Sequence, residues 1–209
     1  MRFDLLILAG VWTLWCLGHS LLAADPVKQR LCRRLQRASF CYRLFYNGVA
    51  MVTLIPVLVW SSTLPGVALL AWGGPWRLLQ WSLWFFAGWL VWSGFRVYPL
   101  KEFLGIDGLR RPGASQPTPL LVTGGVLGLV RHPWYLAVLM LLWSRDLNAP
   151  ALVSSLVLSG YLLVGALLEE RRLKRQFGRL YVDYQSRVPM LVPWRWLLSR
   201  VTAIFRRWH

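Results

Sequence analysis

A chain of 209 residues in which 56% are hydrophobic, 15% charged and 14 are Trp is too apolar for an ordinary soluble enzyme. The same composition excludes a disordered, collagenous or disulfide-scaffold protein. The net charge of +16 comes from 24 Lys and Arg against 8 Asp and Glu. Long uncharged stretches interrupt the basic residues, so the charge points to anionic lipid at a membrane face and not to nucleic acid.

Apolar blocks of membrane-crossing length follow in order. Residues 3–24 form the first; the run is too long for a cleaved leader and lacks a small-residue cleavage site. Within Gly18-His19-Ser20 near its end, His19 is either a functional group or a histidine capped by a neighbouring hydroxyl or interfacial water. Residues 44–64 form the second span, with Pro56 as an expected kink. The glycines and prolines of 65–75 predict a loop that dips into the interface. A third span covers 78–100, with Arg96 placed to snorkel. Residues 133–147 and 151–168 read as a helical hairpin broken at Asn148-Ala149-Pro150, the fourth and fifth spans.

The fold class expected is therefore all-α: a polytopic membrane helix bundle of about five transmembrane helices with a C-terminal amphipathic cytoplasmic helix. Residues 1–100 carry three spans; 101–209 carry a loop, the two-helix hairpin and a cytoplasmic tail. Basic residues fall after span one (Lys28 to Arg43), after span three (Lys101 to Arg131) and after span five (Arg171 to Arg207), whereas Arg2, Arg77 and Arg145 lie on the other side. That asymmetry puts the N-terminus outside and the C-terminus in the cytoplasm, as in a bacterial inner-membrane protein.

Chemistry concentrates in the second half. Residues 118–125 are rich in Pro, Gly and Thr, a stretch whose backbone can approach a ligand. In Arg131-His132-Pro133-Trp134-Tyr135 the proline suits a first helical turn, so Arg131 and His132 stand at a helix start. They form either an anion pocket or a basic anchor at lipid headgroups. Glu169-Glu170 lie where the fifth span ends, about 100° apart on a helix, so one can face the bundle and the other the basic tail. They are either ion-paired or partners for a ligand's ammonium, sulfonium or hydroxyls. Leu173, Phe177, Leu180, Tyr181 and Tyr184 recur at helical spacing, and 188–193 can fold back over the loop. His19, His132 and His209 are scattered without neighbouring Cys, so no metal set is expected.

Leu121-Val122-Thr123-Gly124, Arg131-His132-Pro133-x-Tyr135, Glu169-Glu170, Phe177-Gly178, Tyr181, Tyr184 and Val188-Pro189 together resemble the isoprenylcysteine carboxyl methyltransferase family over about residues 97–193. Its wider superfamily includes phospholipid methyltransferases, methanethiol S-methyltransferases and NnrU-type membrane proteins. The resemblance implies S-adenosylmethionine as methyl donor, with S-adenosylhomocysteine as product. It implies donor contacts from Pro119, Leu120, Leu121, Val122, Leu127, His132, Pro133, Trp134, Tyr135 and Glu169. Arg131, His132 and Glu170 are the catalytic candidates, with Glu170 or His132 taking a proton from the acceptor. Prenylcysteine enzymes carry a tyrosine where Leu127 stands and an arginine where Gly165 stands, so the acceptor implied is a small or lipophilic thiol, carboxylate or amine. Two alternatives accompany this reading: a non-catalytic NnrU-like accessory protein, and a reductase using NADPH. Membrane lipids are expected partners; the sequence leaves the oligomeric state open.

Overall fold

The computed structural model describes residues 2–35, 42–98, 100–104, 106, 120–195 and 198. Contacts divide the chain into two compact units: one from 1–72, 98–118 and 145–161, the other from 73–97, 119–144 and 162–209.

In the first unit, α1 (Arg2–Ala23) is followed by α2 (Asp25–Leu35), whose start at Asp25-Pro26 is set by an acid and a proline in the first turn. Helix α3 (Tyr42–Thr63) continues through Pro56. Helix α1 is tied across the unit by Trp12, whose indole N–H donates to Ser154 Oγ at 2.8 Å in a buried contact. Strand β1 (Ala68–Leu70) lies within the predicted interfacial loop and pairs antiparallel with β2 (Leu147–Asn148), between the fourth and fifth predicted spans. The Trp72 backbone N–H donates to Asp146 Oδ1 at 2.9 Å and its indole N–H to the Arg145 carbonyl at 3.2 Å, so the pairing is buttressed by side chains. A Cβ on Gly66 would meet Pro150 Cδ at 2.6 Å, which explains a glycine before β1. Helix α5 (Leu100–Leu104) also belongs to this unit.

The second unit contains α4 (Trp76–Val97), a 3-10 turn (Gly125–Gly128) and α6 (Pro133–Trp143). Ala87, Leu90, Val126, Leu127 and Ala137 form its buried core, joining α4, the turn and α6. Close approach of α4 and α6 needs Gly94: a Cβ there would lie 2.0 Å from Trp134 Nε1. Helix α7 (Ala149–Phe177) starts under a cap from Asn148, whose Oδ1 accepts from the Ala151 N–H at 2.9 Å. It has 29 residues, about 44 Å, so its charged final turns run past its apolar stretch. Gly178, at φ +56, separates it from α8 (Arg179–Arg187), in a conformation that favours glycine. The predicted aromatic stripe thus continues across a helix break. Tyr181, Tyr184 and Val188 are buried against Leu121, Leu173 and Phe177, while Leu180 is exposed.

Helix dominates, as expected of an all-α chain. Among the described residues, three helices, α1, α3 and α7, are long and apolar enough to cross a membrane. Helix α6 has 11 residues, about 16 Å, against roughly 30 Å of hydrocarbon. In α4, Gln, Ser, Gly and Arg among the indoles lower the apolar character of its 22 residues. Leu6 at 72% and Leu14 at 70% of α1 and Val52 at 70% of α3 are exposed, a surface suited to lipid and unsuited to water.

Candidate active site

Proline at the first position starts α6 and fixes Arg131 and His132 just outside it. Their backbone N–H groups donate to the carbonyls of Pro189 and Met190 at 3.0 and 3.1 Å. Residues 189 and 190 are thereby tied to the two residues that precede α6.

Glu170, buried at 6% exposure, gathers the side chains. Arg131 grips it with two parallel bonds, Nε to Oε1 at 2.8 Å and Nη2 to Oε2 at 2.9 Å. His132 Nε2 lies 2.8 Å from Oε1, the Tyr181 hydroxyl donates to Oε1 at 2.9 Å, and Gln185 Nε2 donates to Oε2. The remaining guanidinium nitrogen of Arg131 donates to the carbonyls of Gln185 and Val188. Hence all three guanidinium nitrogens of Arg131 are engaged within the protein. Burial and the bond to Glu170 push the Tyr181 phenol well above its ordinary value.

Carboxylate oxygens only accept, so His132 donates its Nε2–H to Glu170; whenever the ring is neutral, its lone pair is then on Nδ1. Nδ1 faces the second acid: it is 3.7 Å from Glu169 Oε2, which accepts the Tyr135 hydroxyl at 3.0 Å. The His132 and Tyr135 rings stack at 5.3 Å between centroids. Glu169 keeps 47% side-chain exposure, and its Oε1 accepts no bond from any described residue. The two adjacent acids thus separate as helix geometry requires, one sealed and one open.

The other predicted residues are spread more widely. Pro119 lies outside the described residues. Leu120 is 83% exposed, Leu121 packs on the Tyr181 cluster and Val122 is exposed. Leu127 is buried, and its carbonyl accepts the Tyr184 hydroxyl at 2.6 Å. Pro133 is buried at the α6 start, and Trp134 turns toward α4, its N–H reaching the Val91 carbonyl at 3.4 Å. A Cβ at Gly165 would meet the Tyr135 hydroxyl at 3.8 Å, so this position borders the open acid's partner. Gln185 was not singled out in the sequence; its spacing of four from Tyr181 on one helix face was the available signal.

Methanethiol S-methyltransferase 2 of Bradyrhizobium diazoefficiens is 32% identical over 195 residues, covering 87% of this chain and 70% of the relative. Methanethiol S-methyltransferase of Pseudomonas deceptionensis is 33% identical over 196 residues, with the same coverage of each. The methanethiol S-methyltransferase of Mycobacterium tuberculosis is 30% identical over 207 residues, 90% of this chain and 77% of the relative. The chain belongs to the methanethiol S-methyltransferase family. That family is a branch of the isoprenylcysteine carboxyl methyltransferase-like membrane enzymes, and this protein is a membrane methyltransferase. A second Bradyrhizobium diazoefficiens methanethiol S-methyltransferase, 28% identical, is covered over 64% of its length. No family profile and no solved structure matches the chain.

Proposed function

We propose that the protein methylates a small thiol, methanethiol or a close analogue, with S-adenosylmethionine as donor. The observation that carries this is the orientation of His132: Glu170 holds Nε2–H, and Nδ1 faces the half-exposed Glu169 at 3.7 Å. Bound there, S-adenosylmethionine supplies an electrophilic methyl group on a sulfonium. The residues at hand suit it: an open carboxylate at Glu169 for its ammonium or hydroxyls, the stacked Tyr135 and His132 rings, and the non-helical backbone of 120–122. Pro119, Leu127, Pro133 and Trp134 complete the proposed donor-binding set.

In this reading His132 is the catalytic residue. Its Nδ1 takes the thiol proton as the sulfur becomes nucleophilic, the arrangement in which a carboxylate fixes the tautomer of a histidine base. Arg131 and Glu170 are positioning residues: the bidentate pair holds the imidazole from behind. Methyl transfer is an in-line displacement, so alignment and exclusion of water supply most of the acceleration, on the order of 7–11 kcal/mol. An uncharged thiol needs no buried cation, which accords with Gly165 and an engaged Arg131.

Five crossings, by α1, α3, α4, α6 and α7, with the N-terminus outside and the C-terminus in the cytoplasm, accompany the proposal. Residues 101–209 then carry the catalytic region on the cytoplasmic side. The test is incubation with methyl-labelled S-adenosylmethionine and, separately, methanethiol, a prenylcysteine, an amine and a phospholipid. Label in dimethyl sulfide is expected; label in none of the products, or in the phospholipid alone, refutes the thiol reading.

A further inference from the structure

Outside the methyltransferase site, α1 and α3 carry a second polar cluster in an apolar setting. His19 Nδ1 lies 2.6 Å from the Tyr161 hydroxyl, and the Tyr46 hydroxyl lies 2.6 Å from His19 Nε2 and 3.1 Å from Nδ1. Ser20 Oγ donates to the Tyr161 hydroxyl at 3.3 Å. Trp15 stacks on the imidazole with centroids 5.1 Å apart and gives its N–H to Thr53 Oγ1 at 3.1 Å. Beside this cluster lies a cleft of about 220 Å³, whose walls include Leu14, Trp15, Leu22, Tyr46 and Val49.

One of the two tautomers of His19 leaves a donor over. A neutral imidazole has one N–H and one lone pair, so one tyrosine donates to His19 and the other accepts from it. With Nδ1 protonated, Tyr46 donates to Nε2 and Tyr161 can donate to Ser20 Oγ; with Nε2 protonated, Tyr161 donates to Nδ1 and the Tyr46 proton is left over. Of the two, Tyr46 lines the cleft. A ligand with a bare acceptor therefore completes a single directed chain: Ser20 to Tyr161, Tyr161 to His19 Nδ1, His19 Nε2–H to Tyr46, and the Tyr46 O–H into the cleft. Apolar walls and a lone donor fit a carbonyl oxygen on a hydrocarbon body.

Position narrows the class. His19 is one turn from the end of α1 at Ala23, at the depth where acyl esters lie in a bilayer. Immediately beyond, α2 carries Lys28, Arg30, Arg33 and Arg34, with Arg30 and Arg34 lining a shallow depression. At about 30 Å³ per water-sized group, the cleft holds roughly seven such groups: an ester and the top of one chain, not a whole lipid. We propose that this cleft is a binding site for an anionic glycerophospholipid. The ester carbonyl accepts from Tyr46, the acyl chain lies along Trp15 and Leu14, and the headgroup phosphate sits over the basic face of α2.

The test uses the full chain in detergent, titrated with phosphatidylglycerol in diester form, with its diether analogue and with diester phosphatidylcholine, bound lipid being counted by native mass spectrometry. A hydrogen bond of about 1 kcal/mol predicts that the diester binds about fivefold more tightly than the diether. Tyr46→Phe, which keeps the ring against His19, should abolish that ratio. Arg30→Ala with Arg34→Ala should remove the preference for the anionic headgroup while leaving the diester-to-diether ratio intact. Equal retention of diester and diether by the unaltered protein, or an undiminished ratio in Tyr46→Phe, overturns the proposal. Equal binding of the two headgroups overturns its anionic part. None of these readouts depends on methyl transfer.

Discussion

Replacing Glu170 with Gln tests whether the buried acid is the hub that orders the site. The change preserves size but removes the charge and turns one carboxylate oxygen into an NH2. Placed at Oε2, that NH2 faces two donors, Arg131 Nη2 and Gln185 Nε2; placed at Oε1, it faces three, from Arg131, His132 and Tyr181. Either orientation sets the NH2 against an Arg131 N–H, which cannot accept, and leaves the Arg131 guanidinium, 10% exposed, without its counter-charge. Removing one partner of a buried pair costs about 3–5 kcal/mol. At about 2–4 °C per kcal/mol, the unfolding midpoint in detergent should fall by about 6–20 °C. Removing both charges in Arg131→Met with Glu170→Met should cost less than the sum of the two single changes, because no charge stays buried alone. A midpoint within 2 °C of the unaltered protein for Glu170→Gln, or strict additivity in the double variant, would falsify the account of Glu170 as a buried counter-charge.

Four further outcomes follow from the geometry. His132→Ala should lower the turnover of thiol methylation by about 10²–10⁴-fold, and the loss should shrink at alkaline pH as the thiol ionises unaided; a pH-independent loss would contradict the base role. Glu169→Gln should weaken S-adenosylhomocysteine binding in calorimetry while shifting the unfolding midpoint little, since its side chain is 47% exposed. Gly94→Ala puts a methyl group into the Trp134 indole at 2.0 Å and should destabilise by about 1–3 kcal/mol, read as a lower midpoint. The Tyr181 phenol has a raised value in the folded protein, so the stability it contributes is complete below the ordinary phenol value of 10.0 and is lost progressively as pH rises from there through the folded one. Phenolate absorbance should show Tyr181 titrating with unfolding, and Tyr181→Phe should remove that step.

Much of this protein is legible in order along the chain. Apolar runs at 3–24, 44–64 and 151–168 correspond to α1, α3 and α7, and the Pro133 start of α6 falls where proline chemistry puts it. Hydropathy over 20 residues and a proline at a helix start are local properties, decided by neighbours within a few turns. The separation of Glu169 from Glu170 is local too, because a helix turns about 100° per residue.

Tertiary structure alone decided what the two acids touch. Glu170 draws Arg131 from 39 residues away and Tyr181 from 11, and which acid is sealed depends on the side of α7 against which α8 packs. No residue pattern specifies the β1 to β2 pairing either, for strands of three and two residues carry too little periodicity to register. The same holds for Tyr46, His19 and Tyr161, brought together from three separate stretches of chain. Composition and period fix where helices form and which face is greasy; hydrogen bonds between distant side chains exist only once packing has excluded water and set their distances.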